Sequence, residues 1–245
     1  MRNFKIIVSY DGSRYKGWQR LQNESSTIQG KLEACISKMC GATIEITGSG
    51  RTDSGVHAIA QVANFRASTE MTPTQIADYF YKYLPDDIVV NSVEEVHERF
   101  HARYNAKSKV YRYKICNSAY HDVFERKYSW HVQQPLNIPA MREAARHLLG
   151  EHDFGSFTSD KTPDKRSIRT VEMAEISKNG PFIYITVEAD GFLYNMVRII
   201  VGTLVEIGLG ERDINSLIKA LEKRERTTAG QKVPPQGLTL IEVKY

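Results

Sequence analysis

The groups best suited to chemistry lie in one short segment, Gly48-Ser49-Gly50-Arg51-Thr52-Asp53-Ser54-Gly55-Val56-His57-Ala58. Three glycines among its first eight residues allow left-handed backbone and close approach of a ligand. A guanidinium and a carboxylate stand two residues apart, on a turn expected between two strands. A turn of that kind can hold an aspartate out into a cleft as a nucleophile or proton acceptor. The plain alternative is a hairpin carrying a solvated Asp-Arg pair. Three other chemistries fit less well. A phosphate-binding loop needs a Lys after its glycines, and none follows. A dinucleotide fingerprint needs Gly at position 53 and a helix after it. An aspartic protease needs two carboxylates sharing a proton, and Asp53-Ser54-Gly55 occurs once.

A second signal is cationic. Arg99, Arg103, Lys107, Lys109, Arg112 and Lys114 occur in sixteen residues without a carboxylate, interleaved with Tyr104, Tyr111 and Tyr113. Bases beside aromatic faces suit a stackable polyanion, whereas a solvated basic strand is the bland reading. The formal net charge of +4 favours such a partner only mildly. His97 and His101 are four apart, but no third ligand or H-E-x-x-H pattern accompanies them, so no metal site is expected. Cys35, Cys40 and Cys116 form neither a disulfide framework nor a zinc knuckle. Arg198 lies in the apolar run Met196-Val197-Arg198-Ile199-Ile200-Val201, where a guanidinium must either find an acceptor or snorkel to water.

The elements that must position these groups follow from periodicity. Strands are expected at residues 4–10, 43–47, 58–65 and 88–96. Helices are expected after Ser26 or Thr27, ending at Cys40-Gly41, and from Thr72-Pro73 to about residue 83. Residues 109–116, 169–177, 182–189 and 238–243 also read as strands. Helices should follow Asn137 (ending at Leu149-Gly150), span 195–206, and run from Asp213 to Lys223. The alternation predicts α+β with a mixed or antiparallel sheet, divided near residue 103 into segments 1–103 and 104–245. With 41% hydrophobic and 25% charged residues, no bilayer-length apolar run and no secretory leader pattern, the composition points to a cytoplasmic protein.

The full segment Gly50-Arg51-Thr52-Asp53-Ser54-Gly55-Val56-His57-Ala58 resembles the signature of the tRNA pseudouridine synthase A (TruA) family. Six further motifs are similar in order: Tyr10-Asp11-Gly12 with Gly17-Trp18-Gln19; Thr27-Ile28-Gln29 with Leu32-Glu33; Phe100-His101-Ala102-Arg103-Tyr104 leading to Tyr111; His152-Asp153-Phe154-Gly155; Gly191-Phe192-Leu193-Tyr194-Asn195-Met196-Val197-Arg198; and Pro234-Pro235-Gln236-Gly237-Leu238.

The resemblance implies the pseudouridine synthase fold: two related α/β subdomains, a mostly antiparallel central sheet, flanking helices and a basic cleft. It implies isomerisation of uridine to pseudouridine at positions 38, 39 and 40 of the tRNA anticodon stem-loop, by a homodimer without cofactor. Asp53 would be the catalytic carboxylate, Arg51 would occupy the space of the flipped base, and Arg198 would orient Asp53. Tyr111 would stack under the uracil, and Leu240 would add apolar wall. A noncatalytic RNA-binding or RNA-chaperone protein is the alternative from another class, and it would have no need of Asp53.

Overall fold

A computed structural model describes residues 1–22, 24–160 and 167–245. The chain divides into two units, residues 1–107 with 239–245, and residues 108–238.

In the first unit, β1 (Arg2–Tyr10) places Phe4, Ile6, Val8 and Tyr10 on one buried face by strict alternation. Two helices supply apolar stripes. In α1 (Ile28–Cys40), Ile28, Leu32 and Ile36 recur at helical spacing and are fully buried. Thr27 caps it by accepting from the Gly30 N–H, and Gly41 ends it in the left-handed region at φ 63°. In α2 (Pro73–Tyr83), Thr72 and Gln75 form a reciprocal capping box, and Ile76 and Phe80 are buried. Phe65 stacks on Phe4 at 5.4 Å and meets the Phe80 ring edge at 6.3 Å. Each such fully buried side chain contributes roughly 1.5–3 kcal/mol.

The sheet of this unit runs β4 (Ile88–Val96), β1, β3 (His57–Ala67), β10 (Leu238–Lys244), with the short β2 (Ile46–Gly48) also on β3. One edge of β3 is antiparallel to β1. Its other edge is shared. Residues 63–65 pair with β2, and residues 57–58 pair in parallel with Thr239 and Leu240 of β10. The glycine-rich turn, residues 49–56, leaves β2 and re-enters β3 across that interval.

In the second unit, β5 (Ser108–Cys116), β9 (Phe182–Ala189), β8 (Ile168–Asn179) and β7 (Gly150–Asp153) form an antiparallel sheet. The β8–β9 hairpin turns at Asn179-Gly180, with Gly180 at φ 56°. A two-residue strand, β6 (Trp130–His131), is parallel to the end of β5. Two helices pack against one another, α3 (Ile138–Arg146) and α4 (Met196–Gly208), and α5 (Asn215–Lys223) follows. Every residue of α4 except Glu206 is buried, which makes it the central helix of the unit.

The α+β class and mostly antiparallel pairing expected from the pattern are present. Local expectations differ in three places. The strand expected at 43–47 begins only at Ile46, because residues 43–45 form the approach from Gly41. The helix after Asn137 stops at Arg146, and Gly150, at φ 95°, opens strand β7 where a helix end was expected. Residues 99–114 are not one basic strand. Residues 99–107 are turn and loop, and β5 starts at Ser108.

Candidate active site

The turn bearing Asp53 is held from below. Its entry is fixed by Ser49, whose N–H donates to the Val62 carbonyl at 2.7 Å and whose hydroxyl donates to Gln61 Oε1 at 2.7 Å. The Gln61 amide in turn donates to the Gly50 carbonyl at 3.1 Å. Thr52 lies between two partners. Its carbonyl accepts from the Trp18 N–H at 3.0 Å, and its hydroxyl meets the Tyr10 hydroxyl at 2.8 Å. After Asp53, the Val56 N–H returns to the Asp53 carbonyl at 3.1 Å, and the Ser54 hydroxyl donates to the Tyr15 carbonyl at 3.0 Å. Gly55, at φ 80°, lets the turn close.

Close backbone approach explains the opening motif. A Cβ on Gly12 would lie 2.0 Å from the Val56 carbonyl oxygen, and one on Gly48 would lie 2.6 Å from the Trp18 ring. Gly17 has φ 97° and would place a Cβ 2.7 Å from the Thr52 carbonyl oxygen. Segment 10–18 is therefore a cradle fitted to the turn. It is itself anchored by Asp87, whose carboxylate accepts from Tyr15 at 2.5 Å and pairs with Arg14 at 2.6 Å. Burial opposes ionisation of Asp87, but the hydrogen bonds from Tyr15 and Arg14 outweigh it and hold its carboxyl below the ordinary range. Beside Asp11, His57 Nδ1 is 3.0 Å from the Gly12 N–H and 3.2 Å from the Asp11 carboxylate. The neutral ring accepts from the first, and a protonated ring would donate to the second.

On this frame Asp53 is half-buried and Arg51 is exposed. Thr52 between them is buried, so Arg51 and Asp53 flank an anchored residue. Leu240 pairs with Ala58 on the same edge of β3 and is fully buried.

In the second unit, Tyr111 and Tyr113 share one face of β5 and both are buried. Tyr111 meets the Phe192 ring edge-on at 5.1 Å. Tyr113 is core. Its hydroxyl donates to the Pro234 carbonyl at 2.7 Å, and its ring fills the space a Cβ on Gly237 would need. Of the tyrosines in the basic stretch, Tyr104 alone is exposed, so stackable faces interleaved with bases are not a property of the whole stretch. His97 and His101 accept backbone N–H bonds, from Arg99 and from Arg103 and Tyr104, and so shape their own turns. Among the described residues no group of three or more His, Cys, Asp or Glu side chains is arranged to hold a metal.

Arg198 is buried and does not snorkel to water. Its Nε donates to the Val233 carbonyl at 2.8 Å, and its Nη1 donates to Asn195 Oδ1 at 2.8 Å. Asn195 sits at φ 62°, a conformation that Asn tolerates better than most residues, and starts α4 there. The segment after it is tied to the same helix. Gly230 donates to the Thr203 hydroxyl and Gln231 to Glu206, both at 2.8 Å.

The sequence pattern singled out Arg51, Asp53, Tyr111, Arg198 and Leu240. The structure places Arg51 and Asp53 on one turn with Leu240 on the adjoining strand, and Tyr111 and Arg198 in the second unit. Pattern reading assigned no part to Gln61, Tyr10 or Thr52. A glutamine between Ile59-Ala60 and Val62-Ala63 was the available signal, because an amide buried there must find partners.

A family model described as tRNA pseudouridine synthase matches residues 6–105 and 144–245. A tRNA pseudouridine synthase A 2 of Bacillus cereus is 47% identical over 245 residues, the full length of both chains. A tRNA pseudouridine synthase A of a Bacillus species is 50% identical over 230 residues, 94% of each chain. That of Thermoanaerobacter pseudethanolicus is 46% identical over the full length of both.

Proposed function

The chain belongs to the tRNA pseudouridine synthase family, and from that premise we propose that it isomerises uridine to pseudouridine in the anticodon stem-loop of tRNA, at positions 38, 39 and 40. The observation that carries this reading is Asp53, a half-buried carboxylate on a turn anchored on both sides.

In the reaction the bond from uracil N1 to the ribose anomeric carbon breaks, the ring turns, and C5 bonds to that carbon while losing its proton to solvent. N1 gains a proton, so atoms and electrons balance without an oxidant, reductant or cofactor. The step calls for a fixed carboxylate near the anomeric carbon, as nucleophile or proton acceptor, and Asp53 takes that part. A stacked uridine must leave the helix first, and the exposed Arg51 guanidinium plane fills the gap by stacking. Tyr111 lies under the turned-out uracil, Arg198 orients the carboxylate, and Leu240 supports the apolar wall. The enzyme works in the cytoplasm as a homodimer.

Tritium release from tRNA labelled at uracil C5, followed by mapping of the modified nucleotides, tests the reading. Release from the anticodon stem-loop is expected. Tight tRNA binding without release would leave a noncatalytic RNA binder instead.

A further inference from the structure

The residue before Asp53 is held by side chains that are themselves buried. Gln61 is fully buried on β3. Its Nε2 donates to the Gly50 carbonyl, which fixes the amide's orientation and leaves Oε1 to accept the Ser49 hydroxyl. The Gln61 side chain also hydrogen-bonds the Tyr10 side chain. Burial holds the Tyr10 phenol above its ordinary range, so it keeps its proton. Its hydroxyl and that of Thr52 are hydrogen-bonded at 2.8 Å. Gln61, Tyr10 and Thr52 are thus joined by buried hydrogen bonds that also reach Gly50.

We infer that Gln61, Tyr10 and Thr52 form a hydrogen-bonded clasp, and that they are positioning residues for Asp53. The clasp holds Gly50 on one side of Arg51 and Thr52 on the other, immediately before Asp53. A chain of buried polar groups that is fully satisfied is rigid, and one missing member leaves the rest unpaired. Reaction rate is sensitive to such placement, with about a hundredfold lost for a displacement of about 1 Å. RNA affinity is spread over many phosphate contacts, of which Arg51 is one, so it should change far less than the rate. The proposal rests on Asp53 being the reacting carboxylate.

The test compares Thr52→Val, which keeps shape but loses the hydroxyl, with Thr52→Ser, which keeps the hydroxyl, and adds Tyr10→Phe. Each is assayed with full-length tRNA well below its melting temperature. Thr52→Val and Tyr10→Phe should lose about tenfold or more in kcat with KM changed less than about threefold, and Thr52→Ser should recover most of the loss. Wild-type kcat in Thr52→Val, or equal damage in Thr52→Ser, overturns the clasp, as does a defect confined to KM. Asp53→Asn separates the two layers. If it is active, the assignment of Asp53 itself fails; if it is inactive while Thr52→Val reacts normally, only the clasp fails.

Discussion

Replacing Asp53 by asparagine keeps the shape of a half-buried side chain and removes its charge and basicity. Turnover should all but vanish, while tRNA affinity should change by less than about tenfold, roughly 1.4 kcal/mol. Equilibrium binding measured beside single-turnover kinetics checks both; substantial turnover in rigorously purified protein would end the assignment. Arg198 invites a graded experiment. Arg198→Ala leaves the Val233 carbonyl and Asn195 Oδ1 without this donor inside the unit. A buried group stripped of its partner costs about 1–3 kcal/mol, so the variant should melt several degrees lower and react poorly. Arg198→Lys keeps the charge but cannot span both acceptors with one planar fork, so melting and rate should fall between alanine and wild type. Near-normal values for alanine would mean that the guanidinium contributes little.

Helices and strands carry the sites by close approach as much as by hydrogen bonds. In α4, an alanine at Gly202 would gain about 1 kcal/mol from helix propensity if the position were open. It is not open, since a Cβ there would lie 1.9 Å from the Gln231 carbonyl oxygen. Overpacking of that kind costs about 1–3 kcal/mol, so Gly202→Ala should destabilise the protein on chemical denaturation. A stabilised variant would show that segment 229–233 yields freely. Much of this architecture was legible in advance, because α1 and α2 repeat apolar residues at helical spacing, α4 is a long apolar run, and the caps at Thr27 and Thr72 are typical residues. The short strands β6 and β7 were not, and β2 was expected but begins three residues later, because pairing rather than pattern sets elements of two to four residues. The same holds for the site. Asp53 and Arg51 stand out in a glycine-rich turn, whereas Gln61 and Tyr10 act through contacts 11 and 42 positions away in sequence, which no local pattern records.

Across the whole molecule the net charge of +4 is small, yet Arg51, Arg99, Arg103, Lys107 and Arg112 are all exposed. If they grip tRNA phosphates, binding should weaken with salt, each contact contributing a log-log slope of roughly −0.7 to −0.9. Replacing Arg103 and Lys107 by alanine should flatten that slope by about one to two such contacts. A wild-type affinity that ignores salt would leave the electrostatic account without support. EDTA should leave single-turnover isomerisation of prefolded tRNA unchanged, since the proposed chemistry transfers no electrons and adds no atom.

The last strand has a bearing on synthesis. β10 completes the sheet of the first unit, which the chain left at residue 107. Lys107 and Lys244 are joined through their backbones at 2.8 Å, and the Tyr245 hydroxyl is bonded to the Ala102 carbonyl at 2.7 Å. On the ribosome, the strand carrying Leu240 emerges only after the whole second unit. At about 5–20 residues per second, the half-built sheet waits for about 7–26 seconds with β3 residues 57–58 lacking their β10 partners. A chain released early, anywhere before residue 239, would lack that strand. The unit that bears Asp53 is therefore completed only after residues 239–245 have been made, and the second unit is synthesised inside an unfinished first one.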